Sequence, residues 1–467
     1  MSSPSLLQGN SMAARDVRSL IHPYTNLSTH QTEGPLIIET GKGIHVYDEA
    51  GKEYIEGLAG LWCTSFGFGE QELVKAAVDQ MQKLPYYHAF ASKSTSPGIK
   101  LAEKLLEIAP VEMSRVFFVN SGSEANDTVV KLVWYYNNSR GRPQKKKIIS
   151  RQKAYHGVTV AAASLTGLPP LHNDFDLPIK NILHTSCPHY YRYGKDGETE
   201  EEFASRCADD LEQLILKEGP ETVAAFIAEP VMGAGGVIVP PATYFEKVQA
   251  VLKKYDVLMI ADEVICGFGR TGNMWGSQTM EIKPDILSCA KALSSAYLPI
   301  AAVMVSDEVF QGMVKQSEKH GAFAHGYTYS GHPVPAAVAL RTLELMEERD
   351  LLGHVDKVSP HFLKRFADLA DHPLVGEVRS CGLVGAVELV ADKKTKQSFD
   401  PKFKAGHKAY VAMQEAGLIS RAVAGDNLAL CPPLIITEAE IDEMFNRFEA
   451  GLNAAAEMAK SENWTAA

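Results

Sequence analysis

The chain has 467 residues, of which 45% are hydrophobic and 22% are charged, and its formal net charge is -11. This composition is typical of a globular protein large enough for more than one domain. The acidic balance argues against nucleic acid or an anionic membrane surface as a partner. No stretch of the sequence approaches the roughly 20 apolar residues that a membrane-spanning helix requires.

The cysteine pattern favours a reducing compartment. Seven Cys are scattered along the chain without a Cys-x-x-Cys pair, which indicates free thiols and a cytoplasmic location rather than a disulfide framework. Residues 1–16 lack the apolar core of a signal peptide. Because Met12 offers a second start, residues 1–11 are treated as a candidate extension and left out of the fold prediction.

The first two-thirds of the chain alternate between short strands and helices. Residues 43–55 predict a β-hairpin with its turn at Asp48–Gly51. Further on, short apolar strands without polar alternation are separated by helices, which predicts a buried, mostly parallel sheet. The strands are expected at 115–119, 224–228, 257–261 and 285–290, and the helices from Ser121 onward and over 244–255.

The last third has a different pattern. We expect a long helix after Pro335, a helix near 403–415, a strand near 418–423 and a last helix that opens with the capping box Thr437-Glu438-Ala439-Glu440. The sequence therefore predicts an α/β fold with a large domain at 70–335. A smaller α+β domain is expected to combine an N-terminal segment, 1–69, with the C-terminal part, 336–467.

Two candidate catalytic residues each follow a predicted strand of the large domain. Asp262 follows 257–261, and an acid there would lie at the carboxyl edge of the sheet, where open α/β sheets bind ligands. Lys291 follows 285–290 among apolar neighbours, so partial desolvation would favour its neutral, nucleophilic form. Taken alone, an acid such as Asp262 is more often a helix cap or a loop acid, and a lysine such as Lys291 is more often a surface residue.

A third element, residues 120–126, joins a predicted strand to a helix and is called here the phosphate seat. Ser121-x-x-Glu124 reads as a capping box, and Gly122 permits close approach to the free N–H groups at the helix start. A simple well-capped helix is the alternative. Taken together, the acid, the lysine and the seat match the needs of pyridoxal 5′-phosphate for an acid, an amine and N–H donors.

Several longer motifs carry a resemblance to a known family. They run in order along the chain: Ser121-Gly-Ser-Glu-Ala-Asn126, Tyr155-His156-Gly157, Glu229-Pro230 with Gly233-Ala-Gly-Gly236, Asp262-Glu-Val-Ile-Cys-Gly267 with Phe-Gly269-Arg270-Thr271-Gly272, Ala290-Lys291, and Gly326-Tyr-Thr-Tyr-Ser-Gly-His-Pro333. The chain thereby resembles the class III aminotransferases, which are fold-type-I enzymes dependent on pyridoxal phosphate. Leu61-Trp62-Cys63 and Arg421 are most similar to the ω-amine:pyruvate branch.

The resemblance implies a role for each matching residue. Lys291 would carry the cofactor as a Schiff base and shuttle a proton, while Asp262 would pair with the ring nitrogen. Val264 and Tyr155 would contact the two ring faces. The remaining cofactor residues implied are Ser121, Gly122 and Ser123 at the phosphate, Tyr327 and Thr328 from a partner subunit, and His156, Gly157 and Glu229 in support. A shared phosphate site makes a homodimer the minimal active unit, and a tetramer stays open.

The substrate pocket is also implied by the resemblance. An apolar pocket would be formed by Leu61, Trp62, Phe90, Tyr155 and Ala234, and Arg421 would bind a substrate carboxylate. On residue type alone, Trp62 and Phe90 could be plain core residues. Many relatives carry Gly where this chain has Ala292, Ala296 and Ala301, so the size of the pocket is open.

The implied activity is transamination of a primary amine or ω-amino acid, with pyruvate as acceptor and a pyridoxamine phosphate form between the half-reactions. The alternatives within the family are aminotransferases acting on 4-aminobutyrate, ornithine, β-alanine or diaminopelargonate precursors, and a 2,1-aminomutase. Outside it we considered an NAD-dependent dehydrogenase, because Gly267–Gly272 fits G-x-G-x-x-G, and a non-catalytic protein of the same fold. His184, Cys187 and His189 lack a second ligand cluster, so no metal is expected.

Overall fold

The computed structural model describes residues 9–467, so residues 1–8 of the candidate extension lie outside the described part. The α-helices are α1 (Met12–Ser19), α2 (Leu27–Glu33), α3 (Ala59–Trp62), α4 (Gln71–Lys83), α5 (Ser96–Glu107), α6 (Gly122–Ser139), α7 (Val160–Leu165), α8 (Tyr190–Tyr193), α9 (Glu200–Glu218), α10 (Tyr244–Lys254), α11 (Gly276–Thr279), α12 (Asp307–His320), α13 (Pro333–Glu348), α14 (Leu351–Asp368), α15 (Ala405–Glu415) and α16 (Glu438–Ser461). None of these helices is long and apolar enough to cross a bilayer.

The strands form three sheets. They are β1 (Ile38–Lys42), β2 (His45–Asp48), β3 (Glu53–Glu56), β4 (Arg115–Val119), β5 (Lys147–Arg151), β6 (Ile182–Thr185), β7 (Val223–Ala228), β8 (Leu258–Asp262), β9 (Ile286–Cys289), β10 (Ala301–Val305), β11 (Val375–Cys381), β12 (Val384–Leu389), β13 (Leu418–Ile419), β14 (Arg421–Val423) and β15 (Asn427–Leu430).

The central sheet has seven strands in the order β4-β10-β9-β8-β7-β5-β6. All its pairings are parallel except those of β10, which runs antiparallel to both β4 and β9. The four strands predicted from the sequence are β4, β7, β8 and β9, and the mostly parallel α/β architecture is confirmed. Strands β5, β6 and β10 were not predicted.

Helices cover both faces of this sheet, which explains its unbroken apolar strands. On one face, Ile227 and Ile260 pack with Val129 of α6. On the other, the neighbouring residues Phe226 and Met259 pack with α9 and α10. Successive side chains of a strand point to opposite faces, so both sets must be apolar. Each fully buried side chain of this kind stabilises the fold by about 1.5–3 kcal/mol.

One of the two smaller sheets joins the N-terminal and C-terminal parts of the chain, whereas the other is formed by the C-terminal part alone. The predicted hairpin is confirmed as β2 and β3, and β13 from the C-terminal part pairs in parallel with β3. The expected single strand at 418–423 is wrong. It is interrupted at Ser420, because Leu418–Ile419 pair with β3 whereas Arg421–Val423 pair with β15 in a sheet of order β11-β12-β15-β14. The domain boundaries at 69/70 and 335/336 stay predictions.

The helices of the C-terminal third follow their sequence signals. Helix α13 begins at Pro333, where a missing N–H costs nothing, and so starts earlier than the helix predicted after Pro335. Helix α16 begins with the predicted capping box, in which the Thr437 side chain accepts from Glu440 N and the Glu440 carboxylate accepts from Thr437 N. Helices α15 and α16 pack together against the sheet that contains β13.

Candidate active site

A cavity of about 1250 Å³ opens at the carboxyl ends of the central strands. The predicted site residues that line it are Leu61, Trp62, Ser121, Gly122, Ser123, Tyr155, His156, Gly157, Glu229, Ala234, Asp262, Val264, Lys291 and Arg421. They come from segments that are hundreds of residues apart in the sequence. The topology brings them together because strands β4, β5, β7, β8 and β9 all end at this edge.

Three predicted residues lie outside this cavity. Phe90 is half exposed, with its ring near Gly326. Thr328 is exposed, and its carbonyl accepts a hydrogen bond from the Tyr86 hydroxyl at 2.7 Å. The Tyr327 hydroxyl lies 3.3 Å from Thr128 Oγ1. One chain therefore does not bring Phe90, Tyr327 and Thr328 to its own cavity.

Asp262 is the last residue of β8 and is fixed by three donors. Its Oδ2 accepts from Asn126 Nδ2 at 2.8 Å and lies 2.7 Å from His156 Nδ1, and its Oδ1 accepts from Val264 N at 3.0 Å. Only 3% of Asp262 is exposed. Buried carboxylates need such donors, so the network holds the Asp262 carboxylate in place at the cavity wall.

Lys291 follows β9 and lines the same cavity. Its φ of 50° is in the left-handed region, which few residues other than glycine occupy. Burial lowers the pKa of the Lys291 amine, and the Asp262 carboxylate partly opposes this effect. Within residues 9–467 the amine has no hydrogen-bond acceptor, so it is available for reaction.

The phosphate seat is the start of α6, and one detail of its prediction is wrong. Ser121 caps the helix through its Oγ, which accepts from Glu124 N at 3.2 Å. The capping box is not completed, because Glu124 Oε2 accepts from Asn120 N at 2.8 Å and not from Ser121. The Glu124 carboxylate thus reaches Asn120, one residue before Ser121, and connects the residue that follows β4 to the helix.

The bare backbone of Gly122 is needed at this place. A Cβ at Gly122 would lie 3.0 Å from both methyl groups of Val264, and a Cβ at Gly157 would lie 2.5 Å from Ser123 Oγ. Ser123 Oγ accepts from Val158 N at 3.1 Å. The two glycines therefore allow close packing around the start of α6, whose free N–H groups are a favourable place for an anion.

Glu229 anchors the loop that carries Tyr155. Its Oε1 accepts from Tyr155 N at 3.0 Å and its Oε2 accepts from Gly233 N at 3.1 Å. Burial raises the pKa of the Glu229 carboxyl. The arrangement positions both the Tyr155 ring and the turn with Ala234 at the cavity wall.

The other wall of the cavity has an apolar and a cationic part. Trp62 is buried, whereas 52% of Leu61 is exposed, in the short α3 turn, where Gly60 has a φ of 67°. Arg421, on β14, lies over the ring of Tyr24 at 5.9 Å. The Tyr24 hydroxyl is 3.3 Å from that of Tyr155.

Sequence reasoning missed two residues of this site. Asn126 joins Asp262 to the His156 carbonyl, and it lies one helical turn after Gly122, a spacing that places both on one helix face. Tyr24 lines the cavity. No local pattern around residues 20–26 predicted it, since only the tertiary fold brings that segment to Arg421.

The rejected metal grouping does not converge. His184 Nε2 lies 3.1 Å from the Thr166 carbonyl, whereas His189 Nε2 lies 2.7 Å from Glu377 Oε2. The dinucleotide alternative is contradicted as well, because no helix begins within Gly267–Gly272.

A reactive amine, a fixed carboxylate and an anion seat at one sheet edge fit pyridoxal phosphate, which needs an amine at its aldehyde, an acid at its ring nitrogen and donors at its phosphate. With the mostly parallel sheet, they define a fold-type-I enzyme dependent on pyridoxal phosphate.

Comparison with known proteins narrows this class. The family model described as aminotransferase class-III matches residues 27–452. The chain therefore belongs to the class III aminotransferases, and it depends on pyridoxal phosphate as they do.

Curated transaminases match this chain over most of their own length. Gamma aminobutyrate transaminase 3, chloroplastic, from Solanum lycopersicum is 53% identical over 450 residues, which cover 95% of this chain and 86% of the relative. Gamma-aminobutyrate transaminase 1, mitochondrial, from Oryza sativa subsp. japonica is 55% identical over 424 residues, covering 91% and 82%.

Solved structures are equally similar. The omega transaminase from Pseudomonas jessenii in complex with PMP superposes with a TM-score of 0.95 and 55% identity, covering 96% of this chain and 99% of that one. A structure described as a transaminase with L-Ala has a TM-score of 0.89 and 58% identity, covering 91% and 100%.

Proposed function

We propose that the enzyme transfers the amino group of a primary amine or ω-amino acid to pyruvate. The observation that carries this proposal is the composition of one cavity, because the cationic Arg421 and the apolar wall that contains Trp62 line the same space as Lys291. A guanidinium suits the carboxylate of a keto acid, and an apolar wall suits the side chain of an amine. A similar structure holds L-Ala, the amine that pyruvate becomes on transamination.

The residues divide the work as follows. When bound, pyridoxal phosphate supplies an electron sink that acidifies the C–H bond next to the substrate's nitrogen. Lys291 is the covalent attachment point, and its Nζ, whose pKa burial lowers, takes that proton and returns it. Asp262 would pair with the ring nitrogen and favour its protonated form, and Asn126 and His156 hold the Asp262 carboxylate in place.

The other predicted residues bind and orient the cofactor. Ser121, Gly122 and Ser123 provide donors for the phosphate at the start of α6. Val264 and Tyr155 would contact the two ring faces; Val264 lies beside Gly122, and Glu229 anchors the loop that carries Tyr155. His156 and Gly157 shape the same wall.

4-Aminobutyrate is the donor that the curated relatives favour, since these are gamma aminobutyrate transaminases. It is an ω-amino acid, so its carboxylate would bind Arg421 while its amine reaches Lys291. The donor range proposed here therefore includes 4-aminobutyrate together with amines that lack a carboxylate, for which Arg421 would turn aside. Phe90, Tyr327 and Thr328 lie outside their own chain's cavity, so they could contribute to a site only in a second subunit.

A homodimer is proposed for that reason. Thr328 and Phe90 are exposed and lie outside their own chain's cavity, so a second copy would place them at the partner's site, with Tyr327 beside them. Large apolar side chains exposed on the surface support such an interface, among them Phe90, Val158, Val160 and Tyr329. We propose a cytoplasmic location, which the seven free cysteines support.

A donor and acceptor panel tests the proposal. The purified yellow holoenzyme should lose its colour on addition of 4-aminobutyrate or an aromatic primary amine, and regain it with pyruvate. 2-Oxoglutarate is the matched control acceptor, because it carries a second carboxylate. Recovery with 2-oxoglutarate but not with pyruvate would contradict the proposed acceptor, and a colourless protein that binds no cofactor would contradict the whole assignment. Mass measurement in solution tests the dimer.

A further inference from the structure

Three side chains of types that can bind metals, Asp16, His22 and His30, meet in the N-terminal segment, and none of them lines the cavity. His22 Nε2 is 2.8 Å from Asp16 Oδ1 and 3.0 Å from Asp16 Oδ2. His30 Nε2 is 3.1 Å from the same Oδ1. The ligand atoms of all three residues lie within 4.8 Å of one another. Two imidazoles therefore converge on one carboxylate oxygen.

The cluster is built by three separate pieces of chain. Asp16 lies on α1, His22 follows that helix, and His30 lies on α2. The side chains of Asp16 and His30 are 16% and 8% exposed, whereas 30% of the His22 side chain is exposed. Asp16 and His30 are thus fixed by the surrounding protein, whereas solvent can reach the group past the more exposed His22.

Its ligand set is one that transition metals bind. Two His nitrogens and one carboxylate, with water completing the shell, form a common site for Zn²⁺. Ligands at about 2.0–2.1 Å from a tetrahedral ion lie roughly 3.3 Å apart. The two His–Asp separations would have to widen by only about 0.2–0.5 Å to admit an ion, a movement that the partly exposed His22 side chain allows.

We propose that Asp16, His22 and His30 bind one divalent transition-metal ion, with Zn²⁺ as its type. The ion would tie α1 and α2 to the segment between them. That segment carries Tyr24, whose hydroxyl is 3.3 Å from the Tyr155 hydroxyl and whose ring lies under Arg421. Metal binding therefore orders the part of the chain that closes one side of the cavity.

The test counts bound metal and is independent of catalysis. Untagged holoenzyme, stripped with a chelator, is incubated with Zn²⁺, desalted and analysed for metal, and its melting temperature is recorded with and without Zn²⁺. The wild type should retain one equivalent and melt at a higher temperature with Zn²⁺. Asp16→Asn, His22→Gln and His30→Gln should each weaken binding by at least the roughly 10-fold that loss of an outer-shell partner already costs.

The matched control is His361→Gln. His361 Nε2 lies 2.8 Å from Asp442 Oδ1, but Arg365 and not a second imidazole completes that group. This variant should bind Zn²⁺ like the wild type, and thiols common to all variants cancel in the comparison. His22→Gln alters the most exposed ligand, so it separates loss of metal from loss of folding. Equal zinc retention by the wild type and all three ligand variants, or none in any of them, would overturn the proposal.

Discussion

Replacement of Arg421 by Leu gives the sharpest test of how the cavity recognises a keto acid. Arg421 lines the cavity that contains Lys291, and its described contact is the ring of Tyr24 at 5.9 Å. Among residues 9–467 no carboxylate forms an ion pair with it. Its charge is therefore free for a substrate carboxylate, and Leu keeps a comparable apolar stem without that charge.

The size of the effect follows from one charge-assisted interaction. Hydrogen bonds to charged groups contribute about 1.5–3 kcal/mol, and each 1.4 kcal/mol is a factor of ten. We therefore expect kcat/KM for pyruvate to fall about 10- to 150-fold in Arg421→Leu. Arg421→Lys keeps the charge but loses the two-pronged geometry, so it should fall between the wild type and Leu.

The assay compares donors with and without a carboxylate. With an aromatic amine as donor, kcat/KM for that amine in the first half-reaction should stay within about threefold, since only the keto acid loses a contact. For 4-aminobutyrate both half-reactions should slow. If Arg421→Leu uses pyruvate as efficiently as the wild type does, while its melting temperature is unchanged, Arg421 does not bind the acceptor carboxylate and the proposed binding mode is wrong.

Three further predictions follow from single residues. Lys291→Ala should no longer hold the cofactor covalently, and its activity should fall by at least about 10²- to 10⁴-fold. Lys153→Ala alters another lysine of the cavity wall and should keep both the bound cofactor and the activity. Intact mass measures the bound cofactor, and steady-state rates measure the activity. Burial raises the pKa of Glu56 from 4.5 to about 8, so the protonated side chain stabilises the fold fully below pH 4.5, and this contribution is lost as the pH rises through 8. The melting temperature of Glu56→Gln should therefore rise relative to that of the wild type between pH 5 and 8.5. A difference in melting temperature that stays constant over this range would contradict the prediction. Gly157→Ala places a methyl 2.5 Å from Ser123 Oγ at a φ of 133°, and should cost about 1–3 kcal/mol of unfolding free energy, measured by denaturant titration, and weaken cofactor binding.

The sequence could identify the central sheet because its strands are buried on both faces. Short runs such as 257–261 had no polar alternation, and this is the pattern that helices on both sides of β8 require. Strand β10 has the same pattern, but its antiparallel direction depends on pairing with β4 and β9. Local residue patterns do not encode such direction, which is set by long-range contacts.

The choice between two consecutive acids shows how strand geometry selects the functional side chain. Asp262 points to the same face of β8 as Ile260, and α6 packs on that face. Asn126 of α6 therefore reaches the Asp262 carboxylate. Glu263 lies on the opposite side and accepts from Gly276 N at 2.9 Å, so it supports α11. The sequence predicted Asp262 at this edge of the sheet, and Asp262 does line the cavity, but only the fold supplies its partners.

Three alanines, for which the family resemblance led us to expect glycine, show why pocket size could not be deduced from the sequence. Ala301 is fully buried in β10 and Ala292 packs in the hydrophobic core, so their methyl groups do not narrow the cavity. Ala296 alone of the three lines it, with a φ of 61° that disfavours any side chain. The surrounding turn must therefore offset that strain, and the methyl group of Ala296 is the one of the three that lies at the cavity wall.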